Sequence, residues 1–252
     1  MKALIIGSGI GGMASAIRLA AMGFETHVFE QNAFYGGKIN SKSIKGYRFD
    51  RGPSVFTEPH LVDELLSLDK SSDIDFKYTK LPISCCYFFE DGTRLALPRG
   101  TSAVAKTLSD ELGEDFKHVE RRLKRLELNY KAVYAVFIQA SLHRIRQWLN
   151  RNVLNAIYRI PFYGLFSSMN RVNSRAFKNS KTTQIFNRFA TYNGSDPYRS
   201  PGMFNIIAHL EFNVGPFMPK GGMASISDAL YKKAIELGVH FHFDSRIDEI
   251  LY

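Results

Sequence analysis

Ala3 to Ile6 are four apolar residues in a row that stop at Gly7, which is the length and bounding of a buried strand. The stretch GGMASAIRLAAMG, Gly11 to Gly23, then carries its apolar positions at helical spacing, and ETHVFE, Glu25 to Glu30, returns to the strand pattern. The pattern predicts β-α-β within the first thirty residues, the opening of a doubly wound sheet. Further on, PHLVDELLSLD predicts a short helix, and YFFEDGTRLAL, Tyr87 to Leu97, a hairpin turning at Asp91-Gly92. Helical periodicity covers about Thr101 to Tyr158, with Leu112, Phe116, Val119, Leu123 and Leu126 on one face. A looser, aromatic-rich stretch extends to Gly215. GGMASISDALYKKAIELG is again helical, VHFHF alternates as a half-buried strand, and Ile247 to Tyr252 are expected to begin another strand. The order is β-α-β, a long mostly helical insert, then α-β: one α/β domain interrupted by a second and resumed.

Composition narrows the class. Hydrophobic residues make up 45% and charged residues 23%, as in a globular protein with ample material for a core. Cys85 and Cys86 are adjacent and unsuited to pairing with each other, so no disulfide framework is expected and the compartment is read as reducing. The four-residue apolar run before Gly7 is too short for a signal peptide's core. No stretch reaches the ~20 apolar residues that span a bilayer.

Charge is uneven. The formal net charge is +9, and no acidic residue occurs between Glu127 and Asp196. That interval holds Lys131, Arg144, Arg146, Arg151, Arg159, Arg171, Arg175, Lys178, Lys181 and Arg188, with Trp148, Tyr158, Phe162, Tyr163, Phe166 and Phe177 among them. Basic plus aromatic suits an anionic membrane surface, and equally a solvated face over a helical core. No nucleic-acid motif accompanies it, which speaks against that partner.

The chemistry lies at the first turn. Gly7, Gly9 and Gly12 form G-x-G-x-x-G between strand and helix. The first glycine permits the turn, the second lets a pyrophosphate approach the backbone, and the third lets the helix pack on the strand. Glu30 ends the second strand eighteen residues beyond Gly12, placed to accept hydrogen bonds from a ribose diol. Gln31 follows, with no arginine for a 2′-phosphate, so NADP is disfavoured and NAD and FAD stay open. The histidines, including His60, His118, His143 and His209, show no metal-ligand spacing, and His240 and His242 sit on the polar side of their strand. No metal and no catalytic residue is assigned.

The next segments carry a resemblance. NAFYGGKINSKSIKGYRFDRGPS, with Gly36-Gly37 six residues after Glu30, resembles the second glycine motif of the flavoprotein group that includes amine oxidases and carotenoid desaturases, with Lys38 where that motif usually has arginine. GYRFDRGPSVFT, RFATYNGSDPYRSPG and VGPFMPKGGMASISDAL are similar to segments of phytoene desaturases. FEDGTRL and LFSSMNRVN…IFNRFATYNGSDPY most resemble the bacterial branch that desaturates 1-hydroxycarotenoids at the 3,4 bond.

The resemblance implies a Rossmann-like FAD-binding domain (residues 1–57 and 216–252) interrupted by a mostly helical substrate- and membrane-facing domain (58–215). It implies Gly7, Gly9, Ile10, Gly11 and Gly12 at the FAD pyrophosphate, Glu30 at the ribose, Gly37 and Lys38 along the cofactor, and Pro53 and Ser54 nearer the flavin. Ile247, in IDEI, takes the position whose backbone meets adenine, though it reads equally as a core residue. Family members continue for about as long again, so the chain is expected to be an N-terminal half. The implied function is flavin-dependent carotenoid desaturation in the cytoplasm, peripheral to the inner membrane. A phytoene desaturase, another flavoprotein of this fold, or an inactive remnant are the alternatives, and the oligomeric state is open.

Overall fold

The computed structural model describes residues 1–68, 74–137 and 151–251, so His143, Arg144, Arg146, Trp148 and Tyr252 lie outside the described residues. The chain divides into two compact units, Met1–Lys80 with Pro216–Tyr252, and Leu81–Gly215.

The first unit is built on a parallel sheet. Strand β1 (Lys2–Ile6) pairs with β2 (Glu25–Phe29) from Lys2↔Glu25 to Ile6↔Phe29, and β9 (His240–His242) joins the other edge of β2. Helices α1 (Ile10–Ala21) and α9 (Ala224–Glu236) cover one face of it. Met13, Ala16, Ile17, Val28, Ile226, Leu230 and Ala234 are buried there, the apolar stripes that the helical spacing foretold. The opposite face is open: Leu4 and Ile6 are 65% and 55% exposed. On that face the His27 ring stacks on His240 at 4.9 Å and on His242 at 5.3 Å.

Two pairings in this unit were not expected. Strands β3 (Asn40–Ile44) and β4 (Tyr47–Arg51) form an antiparallel hairpin, turning at Lys45-Gly46, where both φ angles are positive, 50° and 82°. Strand β5 (Tyr78–Lys80) pairs antiparallel with β8 (Phe217–Pro219), and the Phe217 N–H donates to the Phe56 carbonyl at 2.8 Å. Phe56, Phe76, Tyr78 and Phe217 meet edge-on or tilted around this junction. Helix α2 (His60–Leu66) buries Val62 and Leu65 in the same core. The first unit therefore runs to Lys80 rather than to residue 57, because Val62, Leu65, Leu66, Phe76 and Tyr78 pack into its core.

The second unit opens with the expected hairpin, β6 (Ile83–Phe88) against β7 (Arg94–Pro98). Helix α3 (Thr101–Leu112) stops at Gly113, which is left-handed at φ 69°, and α4 (Phe116–Phe137) begins afresh. Leu112, Val119, Leu123 and Leu126 are buried as the periodicity predicted. Phe116 is not: the break puts it on a helix's first turn, 37% exposed.

Beyond α5 (Arg151–Tyr158), α6 (Met169–Ala176) and α7 (Ser180–Asn187) are N-capped by Ser168 and Asn179, whose side chains accept from the Arg171 and Lys181 N–H groups. The stretch Gly202–Ile206 is a 3₁₀ helix, α8 (Ile207–His209) a single turn, and Leu210–Val214 a π turn. Among the described residues, no helix is long and apolar enough to cross a membrane.

Phe186, Phe189 and Phe212 centre this unit's core, with Phe189 and Phe212 crossing edge-on at 5.3 Å. Buried beside them, Glu211 receives a charged hydrogen bond from Arg188, and a second from the Tyr192 hydroxyl at 2.7 Å. Replacing Phe189 by Ala should lower the unfolding free energy of this unit by about 3–5 kcal/mol, read as a fall in the urea midpoint.

Candidate cofactor site

The β1–α1 turn is shaped by its glycines in different ways. Gly7 takes φ 92° and donates its N–H to the Phe29 carbonyl at 2.8 Å. A Cβ on Gly12 would stand 1.9 Å from the Gly7 carbonyl oxygen, so only glycine lets α1 approach the turn this closely. At Gly9 and Gly11 a Cβ would meet nothing within 4 Å. The space before these two residues is open, which is where a ligand could reach the backbone. Gly9 caps α1 without a side-chain hydrogen bond, and the first turn, Ile10 to Gly12 included, has no acidic residue. The positive end of the helix therefore faces that space with no side-chain anion of its own, as a pyrophosphate requires.

Glu30 stands beside this turn at the end of β2, only 6% exposed. Its Oε2 accepts from the Ser8 N–H at 2.8 Å and the Ser8 hydroxyl at 2.9 Å. Its Oε1 accepts from the Asn32 N–H at 2.9 Å and the Asn32 side chain at 2.6 Å. Burial works to raise the Glu30 pKa, but these bonds from Ser8 and Asn32 outweigh it and hold the carboxyl below its ordinary value. Neither Ser8 nor Asn32 was read as a site residue. Their only signal in the sequence is a short polar side chain beside a glycine turn and after a strand.

The second glycine pair folds onto the first. The Gly36 N–H donates to the Ser8 carbonyl at 3.0 Å, and Gly9 and Gly36 form a parallel bridge. A Cβ on Gly37 would lie 3.1 Å from the Gly9 Cα, which explains the glycine there. Lys38 is exposed, and its carbonyl oxygen would be 2.1 Å from a Cβ on Gly52, so the Lys38 backbone runs close beside the loop that carries the exposed Pro53 and Ser54. Asp50 accepts from the Met223 N–H at 2.7 Å and Ser227 donates to the Ile39 carbonyl at 2.6 Å, anchoring the returning chain to the same region.

The turn glycines, Ile10, Glu30 and Gly37 are thus brought together. Ile247 does not take a place in the core. Residues 243–251 form no strand, and Ile247 is 39% exposed, which rules out the core reading. The link from this segment is made earlier, where the Ser245 N–H donates to the Glu30 carbonyl at 2.8 Å and the Asp244 N–H to the Asn32 carbonyl at 3.3 Å. Among the described residues, no cluster of three or more His, Cys, Asp or Glu could hold a metal ion.

The sequence pattern of the flavin containing amine oxidoreductases matches residues 10–252. The chain belongs to that family. Its cofactor class is a flavin, and the open glycine turn with an ionised Glu30 beside it fits a flavin dinucleotide. The chain is 41% identical over 249 residues to a 1-hydroxycarotenoid 3,4-desaturase of Flavobacterium sp. (strain P99-3), covering 99% of this chain and 51% of that one. It is 30% identical to a 4,4′-diapolycopene oxygenase of Methylomonas sp, covering 99% of this chain and 50% of that one. It spans about half the length of the curated relatives it matches. A Pyrococcus furiosus protein superposes with a TM-score of 0.61 at 17% identity over 97% of this chain and 51% of that one. The cyclohexylamine oxidase of Brevibacterium oxydans IH-35A gives 0.60 at 18% over 95% and 50%. These two likenesses establish the fold: α/β, a Rossmann-like domain interrupted by a mostly helical one, as in amine oxidases.

Because the folded pKa of Glu30 lies below its unfolded value of about 4.3, its ionised form stabilises the fold above that pH. The contribution disappears as pH falls through the folded pKa. Wild type should therefore exceed Glu30→Gln in urea stability at pH 7, and the gap should close steadily on acidification below about pH 4, measured by denaturation at each pH.

Proposed function

We propose that the protein is an FAD-dependent carotenoid desaturase whose substrate is a 1-hydroxycarotenoid, desaturated at the 3,4 bond. The observation that carries this reading is 41% identity spread over 99% of the chain, together with the open dinucleotide turn. In it the first-turn amides of Gly9, Ile10, Gly11 and Gly12 hold the pyrophosphate, and Gly7 sets their direction. Glu30 accepts from the adenosine ribose. A carboxylate has about four acceptor positions, and Ser8 and Asn32 fill them, so ribose hydroxyls take the place of some of those donors. Gly37 gives the cofactor close passage, Lys38 supplies a cation beside it, and Pro53 and Ser54 lie on the neighbouring loop. Ile247 follows the Ser245 link to Glu30, from which its backbone reaches the adenine. Bound there, FAD would supply the electron sink for removing two hydrogens from adjacent carbons of the substrate.

A polyene substrate resides in a bilayer, and the second unit carries a surface that supports peripheral docking there. Arg121, Lys124 and Arg125 of α4 and Arg159 after α5 line one pocket around Leu128. Leu154, Ile157, Tyr158 and Phe166 are exposed nearby in sequence, Phe166 at 96%. Exposed apolar groups beside a basic cluster favour an anionic membrane over a merely solvated face.

Expressed as its gene encodes it in a host that accumulates a 1-hydroxycarotenoid, the protein should lengthen the polyene by one double bond, read by absorption and mass. It should also be purified with FAD. Gly9→Val, which places a side chain in the open space, should reduce the flavin content at least tenfold and abolish the product. Product from phytoene alone would favour the phytoene desaturase reading. Bound flavin with no product from any carotenoid would favour an inactive remnant.

Liposome flotation checks the membrane surface. Each basic residue contributes about 1 kcal/mol near an anionic bilayer. Arg121→Glu, Lys124→Glu, Arg151→Glu and Arg159→Glu together should therefore weaken binding by about a hundredfold or more. Unchanged flotation would return the cluster to a solvated face.

A further inference from the structure

Inside the second unit, Arg122 and Asn129 of α4, Tyr163, and Gly202 and Asn205 of the 3₁₀ turn line a cavity of about 60 Å³. It is small and mostly polar, with the exposed Arg125 at its rim. Asn205 is 1% exposed and Tyr163 6%. The Arg122 Nε, the Tyr163 hydroxyl and both polar atoms of the Asn205 side chain are buried without a hydrogen-bond partner. Buried polar atoms in folded proteins are almost always satisfied, so four orphans on three residues around one cavity point to something that belongs there.

The charge of the lining narrows what it is. The terminal Arg122 nitrogen donates to Asn173 at 2.9 Å, and the guanidinium lies over the Phe177 ring at 5.1 Å. Both partners are neutral. Among the described residues no carboxylate acts on Arg122, and the second charged residue on the cavity wall, Arg125, has the same sign. Burial, and then Arg125, push the Arg122 pKa down to about 10, which still leaves it a cation at neutral pH. A buried cation is normally compensated by an anion. The orphan groups are mostly donors as well: the Arg122 Nε–H, the Tyr163 O–H and the Asn205 NH₂, against one amide oxygen.

The backbone keeps these groups in place. The Gly202 N–H donates to the Gly164 carbonyl at 3.1 Å, and a Cβ on Gly202 would lie 2.7 Å from Val172 and 3.0 Å from that carbonyl. This close glycine contact fixes Tyr163 and Asn205 on the same wall. The cavity has room for a few waters or for one small anion.

We propose that this cavity is a binding site for a small monovalent anion, of halide to nitrate size, held by Arg122, Tyr163 and Asn205. The anion supplies the missing countercharge of Arg122 and fastens α4 to the 160–164 and 202–206 segments.

The probes are sodium bromide and sodium nitrate, each against sodium gluconate at equal ionic strength, on the whole protein. Bromide and nitrate should raise the midpoint of thermal unfolding saturably, and gluconate, much bulkier than either, should not. Tyr163→Phe, which removes one donor and keeps the ring, should weaken bromide binding at least tenfold, and Arg122→Met should abolish it. Crystals soaked in bromide should show an anomalous peak between Arg122, Tyr163 and Asn205, a readout that does not depend on any variant folding. Equal effects of all three salts, or density for waters alone with no anomalous signal, would overturn the proposal.

Discussion

Glu30 joins three stretches of chain that are remote in sequence. Its side chain holds the β1–α1 turn through both hydrogens of Ser8, its N–H donates to the His242 carbonyl of β9, and its own carbonyl accepts from Ser245. A parallel sheet has no short connections, so its strands are kept in order by what happens at their ends. Here one residue, through its carboxylate and its backbone together, does much of that. The same groups define the open space before Gly9, so the geometry of the cofactor site follows from a contact that the fold itself needs.

The second constraint is steric. Gly12 against the Gly7 carbonyl sets backbone next to backbone at a distance no side chain would allow, and Gly37 against Gly9 leaves a Cβ only a tight fit. What reads in the sequence as a phosphate-binding pattern is in the structure as much a packing pattern. A side chain would meet neighbouring backbone at Gly12 and Gly37, and open space at Gly9 and Gly11.

Local features were legible in the sequence and long-range ones were not. Strand, turn and helix from Lys2 to Phe29 follow from neighbours within a few residues, as do the hairpin at Asp91-Gly92 and the stop at Gly238. The β3–β4 hairpin was missed because its strands, NSKSI and YRFDR, are largely exposed on both faces, so no apolar alternation marks them. The β5–β8 pair consists of two three-residue strands separated by the entire second unit, and no local pattern encodes their meeting. At the site, glycine spacing and Glu30 were visible. Ser8, Asn32 and Asp50 were not, since a short polar residue shows its role only once the fold supplies its partner. Phe116 and Ile247 erred in the other direction, as apolar residues that end up exposed.

The β5–β8 pairing has a consequence for how such a protein can change over evolutionary time. The chain leaves the first unit at Lys80 and re-enters it at Pro216, and Lys80 lies opposite the next residue, Phe217, in the ladder. Antiparallel partners sit about 5 Å apart. Everything between them is thus a loop, in the topological sense, on a closed two-strand stem. A stem of this kind tolerates replacement of its loop by one of different length and shape, because closure is already made by the stem. Recombination at this stem would exchange the inserted unit wholesale and leave the sheet, the glycine turn and Glu30 untouched.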